Sequence, residues 1–224
     1  MDVEDVGVTL KLIVVGDGQV GKTSLITRFC KNTFSQQYKR TLGVDFLEKT
    51  KYVLDLKTDV TFHLWDTAGQ EEYHAITRKY YRGAQAAVLA FSMVDRASFD
   101  HLQGWMEMIR DECGEIPLVL VQNKTDLTED RVVSDEEAQS LAMNWNVLLK
   151  LISVKENSGV GDVFEALAVM ALKRKPRSEP EKRKGTSSTG SSSHSAGVDK
   201  VILTPKSQEK AAKRKRLFAY CSLL

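Results

Sequence analysis

The sequence predicts an α/β fold in which helices cover both faces of a mainly parallel six-stranded sheet. Apolar runs of strand length alternate along the first 172 residues with stretches whose apolar residues recur at helical spacing. Such alternation is typical of βαβ units, which place successive strands in parallel. After about residue 175 the composition shifts to serine, glycine, proline and charge. We therefore expect one folded body followed by an extension without a core of its own.

Six stretches have the composition of strands. Five are short apolar runs, and the sixth is a longer patterned stretch between the first and second of them. In chain order the predicted strands are Thr9–Val15, Val44–Leu56, Val60–Trp65, Ala86–Phe91, Pro117–Gln122 and Val147–Ile152.

Four helices are predicted around these strands. One begins at Lys22, directly after a glycine-rich loop. Ala97–Glu112 places its apolar side chains at helical spacing, and Val160–Leu172 is amphipathic. Ser134 precedes an acidic first turn, which is typical of an N-cap, and predicts a helix that runs to about Trp145.

The composition excludes several classes of protein. No apolar run reaches the roughly 18 residues that a membrane span needs. The acidic start lacks the layout of a signal peptide, so we expect a cytosolic protein. Cys30, Cys113 and Cys221 are odd in number and scattered, and the four histidines are scattered without ligand spacing. This distribution argues against a disulfide framework and against a zinc site.

Charge is divided unevenly along the chain. Residues 1–172 carry 18 Lys and Arg against 26 Asp and Glu, whereas residues 173–224 carry 14 against 4. An acidic body with a basic tail suggests two separate tasks. We predict a domain at residues 1–175, a flexible linker at 176–209 and a polybasic tail at 210–224.

The first functional motif is GDGQVGKT, at Gly16–Thr23, which matches G-x-x-x-x-G-K-[ST] between a predicted strand and a predicted helix. Glycines allow a tight turn that brings backbone N–H groups to phosphate oxygens, and the helix adds its positive end. Lys22 would reach the terminal phosphates, and Thr23 would offer its hydroxyl to Mg²⁺. The alternative is an ordinary glycine-rich turn. The motif indicates a nucleoside triphosphate without specifying the base.

The second motif, NKTD, follows the apolar run PLVLVQ. The Asp126 carboxylate can accept hydrogen bonds from N1–H and the 2-amino group of guanine, and adenine offers neither donor. Asn123 can tie this loop to the phosphate loop, and the stem of Lys124 can cover one face of the base. Ser153–Lys155 could supply N–H groups to the guanine oxygen. NKTD alone would also suit an ordinary loop.

The third motif, DTAGQ, follows the strand-like run VTFHLW. Asp66 stands at a strand end, where it can hold Mg²⁺ through water. Gly69 can bring its N–H to the γ-phosphate, and Gln70 can orient an attacking water. Alone, the same residues would also suit a plain turn.

These motifs, with Thr41 in YKRTLGVDF and the later SVK, resemble those of Ras-superfamily small GTPases in order and approximate spacing over about residues 9–172. The resemblance implies the small G-protein version of the P-loop NTPase fold. Within the superfamily, the segments around the two switches resemble those of Rab proteins. These segments are TLGVDF (41–46), FHLW (62–65), EEYHAIT (71–77) and KYYRGA (79–84).

The resemblance implies further roles. Thr41 would bind Mg²⁺ and the γ-phosphate only in the GTP state, and Phe34 would stack on the guanine. Phe46, Trp65 and Tyr80 would form the aromatic surface that effectors read, although plain core is an alternative for this trio.

Motifs and resemblance together assign three sets of residues. Catalysis is assigned to Gln70, Lys22 and Thr41, and Mg²⁺ binding to Thr23, Thr41 and Asp66. Nucleotide binding is assigned to Gly18, Gln19, Val20, Gly21, Lys22, Thr23, Ser24, Phe34, Tyr38, Thr41, Gly69, Asn123, Lys124, Asp126, Ser153, Val154 and Lys155.

The implied activity is a switch that hydrolyses GTP to GDP, at about 10⁻⁴ s⁻¹ unless an activating protein supplies an arginine. An exchange factor, GTP-state effectors and a lipid-binding escort are the other implied partners. Gly18-Gln19 replaces the Ser-Gly common in Rabs, which leaves the hydrolysis rate open. Two alternatives remain: a nucleotide-stabilised scaffold in which Gln19 stalls the reaction, and an ATP-dependent phosphotransferase, against which NKTD argues.

The chain ends in KAAKRKRLFAYCSLL. A C-a-a-X end with terminal leucine favours geranylgeranylation of Cys221, and the basic cluster would be the second signal for the cytoplasmic face of a membrane. A solvated tail with a free thiol, or a nuclear signal, are alternatives; we expect no nucleic-acid partner. Most Rabs end in two cysteines. The single cysteine, the serine-rich linker and GVDFLE resemble the Rab branch linked to cilia and Hedgehog signalling.

Overall fold

A computed structural model describes residues 7–41, 43–67 and 80–173. Their strands form one six-stranded sheet in the order β2-β3-β1-β4-β5-β6. Only the β2–β3 pair is antiparallel among the ladders of this sheet. The predicted mainly parallel sheet is therefore confirmed. The strands are β1 (Val8–Val15), β2 (Val44–Val53), β3 (Thr58–Thr67), β4 (Ala86–Ser92), β5 (Leu118–Asn123) and β6 (Leu148–Leu151).

All four stretches predicted to be helical form helices in the structure, one of them in two parts. Ser134 caps its helix with a capping box: its side chain accepts from the Glu137 N–H, and the Glu137 side chain accepts from the Ser134 N–H. The helices are α1 (Lys22–Lys31), α2 (Arg96–Asp100), α3 (Leu102–Cys113), α4 (Asp135–Trp145) and α5 (Val160–Lys173), with a 3₁₀ turn at Thr128–Asp130.

The prediction of one continuous helix over Ala97–Glu112 is wrong. The helix is interrupted at His101, whose N–H is directed at the carbonyls of both Ala97 and Phe99. His101 keeps right-handed helical dihedrals, with φ −80° and ψ −8°. Because the backbone remains in the helical region, the apolar spacing continues across the interruption and does not reveal it.

The long second strand also ends earlier than predicted. β2 ends at Val53, and the chain then turns through hydrogen bonds from Leu56 N to Val53 O and from Lys57 N to Leu54 O, both 3.1 Å long. Lys57 has a left-handed φ of 53°. The turn therefore takes Leu54 and Leu56 out of the strand.

Side-chain alternation along the central strand divides the core into two layers. Leu12 and Val14 of β1 belong to the layer shared with α1 and α5. Ile13 and Val15 belong to the layer shared with α3 and α4. Every residue of β4 is buried. Both faces of the sheet are thus covered, and in such sheets ligands bind beyond the carboxyl ends of the strands.

Some predictions fall outside the residues that the structure describes. These are the linker at 176–209, the tail at 210–224 and Cys221, so the domain boundaries stay predictions. Cys30 and Cys113 are free, half-buried thiols. None of the helices described is long and apolar enough to cross a membrane.

Candidate functional site

A cleft of about 560 Å³ opens beside the carboxyl ends of β1, β5 and β6. Four chain segments meet in it: the loop after β1 with the start of α1, the segment at 33–41, the loop after β5 and the loop after β6. The predicted residues that line it are Gly18, Gln19, Gly21, Lys22, Thr23, Ser24, Phe34, Tyr38, Thr41, Asn123, Lys124, Asp126, Val154 and Lys155.

The remaining predicted residues lie elsewhere. Val20 and Ser153 are buried and do not line the cleft. Gly69 and Gln70 lie outside the described residues. The structure adds lining residues to which the sequence analysis assigned no role: Thr27, Thr33, Ser35, Gln36, Gln37, Lys39, Arg40 and Leu127.

Two positions of the phosphate loop admit only glycine. Gly16 has φ 135°, and a Cβ there would lie 2.1 Å from the carbonyl oxygen of Ala90. Gly21 has φ 102°, and its Cβ would lie 2.3 Å from Asn123 Nδ2. Gln19 also takes a left-handed φ, of 63°, which a residue with a Cβ adopts at a cost. This loop therefore bears backbone strain at Gln19, where the sequence departs from the Rab pattern.

Lys22 lies against the phosphate loop. Its side chain is buried, and Nζ donates to the carbonyl oxygens of Gly16 at 2.8 Å and Asp17 at 2.6 Å. Burial lowers the pKa of Lys22 to about 8, while the nearby charges of Asp66 and Asp17 oppose that shift. An anion in the cleft would favour the charged form of this ammonium group.

Asp17 links the phosphate loop to the second helical layer, a contact that the sequence does not predict. Its Oδ1 accepts a hydrogen bond of 2.6 Å from Trp105 Nε1, and its Oδ2 lies 2.6 Å from His101 Nδ1. Trp105 is buried, at 5% exposure. Because the partners are 84 and 88 residues apart, no local pattern could connect them.

Thr23, Thr41 and Asp66 converge at one side of the cleft. Thr23 Oγ1 lies 2.5 Å from Asp66 Oδ2 and 2.9 Å from Thr41 Oγ1. Asp66 is 1% exposed, and burial raises the pKa of its carboxyl. Its Oδ1 has no hydrogen-bond partner within the described part of the chain.

This group of oxygens fits a magnesium ion. Hydroxyl and carboxylate oxygens are the ligands that Mg²⁺ prefers, together with substrate phosphates and water. The unpartnered, buried Asp66 Oδ1 is costly by itself, and a divalent cation would compensate the negative charge. Other metal sites have less support: no group of three His, Cys, Asp or Glu side chains is placed to hold a metal within residues 7–41, 43–67 and 80–173.

Asn123 joins the far side of the cleft to the phosphate loop. Its Nδ2 donates to Val20 O at 2.8 Å, and its Oδ1 accepts from Val154 N at 3.3 Å. Asp126 is held nearby, because its Oδ1 accepts from Ser153 Oγ at 2.7 Å. The Lys155 ammonium lies 3.7 Å from Asp126 Oδ2. The three loops therefore form one connected wall.

An aromatic row crosses β2 and β3. Phe46 is paired with Trp65 across the antiparallel ladder, with ring centroids 5.2 Å apart, and Trp65 lies 5.4 Å from Tyr80. Phe46 is 44% exposed, whereas Trp65 and Tyr80 are half-buried. The trio is accessible along one edge rather than enclosed in the core.

Comparison with known proteins agrees with this architecture. The model of the Ras family matches the chain over residues 11–173. Ras-related protein RABA4d of Arabidopsis thaliana is 44% identical over 155 residues, which is 69% of each of the two chains. The family match spans all the helices and cleft loops described and the sheet except the first three residues of β1.

Proposed function

The chain belongs to the Ras family of small GTPases and is a GTP hydrolase related to Rab proteins; from that premise we propose that it is a switch that regulates vesicle-mediated membrane traffic. The traffic role rests on the likeness to Rab proteins, and one observation carries the nucleotide-binding part of the proposal. Asn123 bonds both the phosphate loop, at Val20, and the loop after β6, at Val154. A nucleotide in the cleft would therefore meet its phosphate-binding and base-binding loops as one rigid unit.

Guanine would be selected by Asp126. Ser153 and Lys155 hold its two carboxylate oxygens, so the group has a defined orientation toward the cleft. It would accept from N1–H and the 2-amino group of guanine, and an adenine would leave this carboxylate unpaired. Phe34 and Lys124 would cover the faces of the base.

The phosphates would lie over the N-terminus of α1. Lys22 would turn from its two carbonyl partners toward the terminal phosphates, and the loop N–H groups would surround the remaining oxygens. Thr23, Thr41 and Asp66 would hold Mg²⁺, which supplies charge neutralisation at the phosphates when bound. Gln70 would orient the attacking water. Positioning and charge account for most of such catalysis.

The switch would act through Thr41 and Gly69. In the GTP state both would contact the γ-phosphate, and hydrolysis would remove those contacts. Thr41 is three residues before β2 begins, so its state would be transmitted to Phe46 and the aromatic row. Effectors would read that row in the GTP state, an activating protein would supply an arginine, and an exchange factor would release GDP.

Membrane attachment would reside in the tail. A prenyl group on Cys221 with the basic cluster gives two membrane signals, where one lipid chain alone binds only marginally. A lipid-binding escort would maintain a cytosolic pool. We assign the protein, on the basis of its single C-terminal cysteine and serine-rich linker, to traffic at a ciliary or flagellar membrane or a related endomembrane.

Hydrolysis of bound GTP tests the switch. The full-length chain loaded with GTP should convert it to GDP slowly. The Gln70→Leu variant should hydrolyse GTP at least about tenfold more slowly. ATP should not be bound. Equal rates for the two proteins would remove Gln70 from the mechanism and favour a scaffold. Tight ATP binding would instead favour a phosphotransferase.

Localisation tests the membrane assignment. Fluorescently tagged full chain should concentrate at a cilium, flagellum or endomembrane, and Cys221→Ser should be diffuse. An unchanged distribution of the variant would contradict attachment through the prenyl group. Nuclear accumulation of both proteins would favour reading the basic run as a nuclear signal.

A further inference from the structure

Arg28, in the last turn of α1, contacts three carbonyl oxygens and one aromatic ring. Its Nε donates to Val154 O at 3.0 Å, and one terminal nitrogen donates to Lys155 O at 2.9 Å. The other terminal nitrogen donates to Asn32 O at 3.2 Å. Its Cζ lies 5.6 Å from the ring centroid of Phe34. The sequence motifs of the cleft do not include this residue.

The two carbonyls that Arg28 binds belong to the loop beside the base site. Val154 is held from both sides, because its N–H donates to Asn123 Oδ1 and its carbonyl accepts from Arg28. The residues flanking Val154 hold Asp126, through Ser153 Oγ and Lys155 Nζ. A displacement of this loop would therefore change the orientation of the carboxylate that selects the base.

The same guanidinium also contacts Phe34, on the segment at 33–41. Phe34 is a cleft-lining residue at the start of the segment that leads to Thr41. The planar guanidinium can bind carbonyls along its edge while its face meets the ring, which an ammonium group cannot do. A second hydrogen bond, donated by Asn157 Nδ2 to Asn32 Oδ1 at 3.3 Å, also connects the C-terminal end of α1 to the chain that follows β6.

We propose that Arg28 is a positioning residue that controls guanine nucleotide release by holding the 153–155 loop and Phe34 together around the base. The inference rests on the proposed function, since it concerns the same cleft. α1 then serves both ends of the nucleotide. Its first turn carries Lys22 and Thr23 at the phosphates, and Arg28, about 9 Å further along the axis, fixes the base end. Release of the nucleotide requires the base end of the cleft to open.

The test loads the full-length chain with a fluorescent analogue of GDP or, in parallel, of inosine diphosphate. The release rate of each is measured after an excess of unlabelled GDP is added. Inosine diphosphate lacks only the 2-amino group, so the ratio of the two release rates reports what Asp126 contributes. Arg28→Gln should release GDP about tenfold faster, and the ratio of inosine diphosphate to GDP release should fall about threefold. Arg28→Lys, which can bind one carbonyl at a time, should lie between Arg28→Gln and the unchanged protein.

Lys31→Gln is the matched control, because it removes the same charge from the same turn of α1 at an exposed position. It should leave both release rates unchanged. Equal acceleration of GDP and inosine diphosphate release in Arg28→Gln would show a merely structural role and overturn the inference, as would a release rate matching that of Lys31→Gln. An unchanged protein that releases GDP no more slowly than ADP would overturn the proposed function itself.

Discussion

The indole N–H of Trp105 donates a 2.6 Å hydrogen bond to the Asp17 carboxylate, joining the third helix to the phosphate loop. Asp17 also supplies the carbonyl that accepts from Lys22 at 2.6 Å. A core tryptophan therefore fixes the residue on which the phosphate-binding lysine rests.

Replacing Trp105 with phenylalanine should accelerate GDP release about fivefold, because a smaller aromatic ring remains in the core and one charge-assisted hydrogen bond is lost. The free energy of unfolding should fall by about 1–2 kcal/mol. Release of a fluorescent nucleotide and urea unfolding measure the two effects. The control variant is Trp145→Phe, which changes a half-buried tryptophan that does not line the cleft. It should leave the rate of GDP release unchanged. Equal release rates in the two variants would contradict the role of the indole N–H.

Asn123→Ala should lower GDP affinity at least about a hundredfold and the free energy of unfolding by about 2 kcal/mol. The change leaves the buried Val20 carbonyl without its 2.8 Å donor and the Val154 N–H without its acceptor. Calorimetric titration and urea unfolding give both quantities. Asn144→Ala, at an exposed position of the fourth helix, is the control and should be neutral. Affinity retained in Asn123→Ala would mean that the loops keep their places without this amide.

Two glycine substitutions should change the free energy of unfolding in opposite directions. Gly16→Ala should destabilise the fold by more than about 3 kcal/mol, since its Cβ would lie 2.1 Å from a backbone oxygen at a positive φ. Gly104→Ala should stabilise it by up to about 1 kcal/mol, because this helical glycine has nothing within 4 Å of a Cβ. Urea unfolding of both proteins checks the pair. A stable Gly16→Ala would show that the loop and Ala90 can separate.

Removal of divalent cations with EDTA should accelerate GDP release from the unchanged protein by about 5- to 150-fold, the usual range for two coupled ligands. Asp66→Asn should release GDP rapidly even in magnesium, and EDTA should add little. Asp59→Asn, an exposed position at the start of β3, should respond to EDTA as the unchanged protein does. A full EDTA response in Asp66→Asn would place the ion on other ligands.

The parts of this protein that local sequence predicts are those set by nearest neighbours along the chain. The apolar run at Thr9–Val15 predicts β1, and successive side chains of a strand point to opposite faces, which divides its residues between the two core layers. The Ser134 capping box lies within four consecutive residues. The phosphate loop requires a strand, glycines and a helix N-terminus in direct succession, which is why its residues could be assigned to one cleft before any fold was known.

Contacts between distant segments needed the tertiary structure. The Asp17–Trp105 hydrogen bond spans 88 residues and the Arg28–Val154 hydrogen bond spans 126. Neither hydrogen bond produces a periodic pattern in the sequence. A buried tryptophan and an arginine in a helix occur in many proteins for other reasons. The interruption at His101 is equally hidden, because its backbone keeps helical dihedrals.

The sequence by itself determined the order of strands and helices, the family resemblance and most of the residues that line the cleft. Tertiary structure decided how those residues are held: Asn123 between two loops, Arg28 across the base end and Asp17 against the third helix. The physical reason is that hydrophobic period and backbone sterics act within a few residues. A hydrogen bond between distant segments depends on how the sheet brings their ends together.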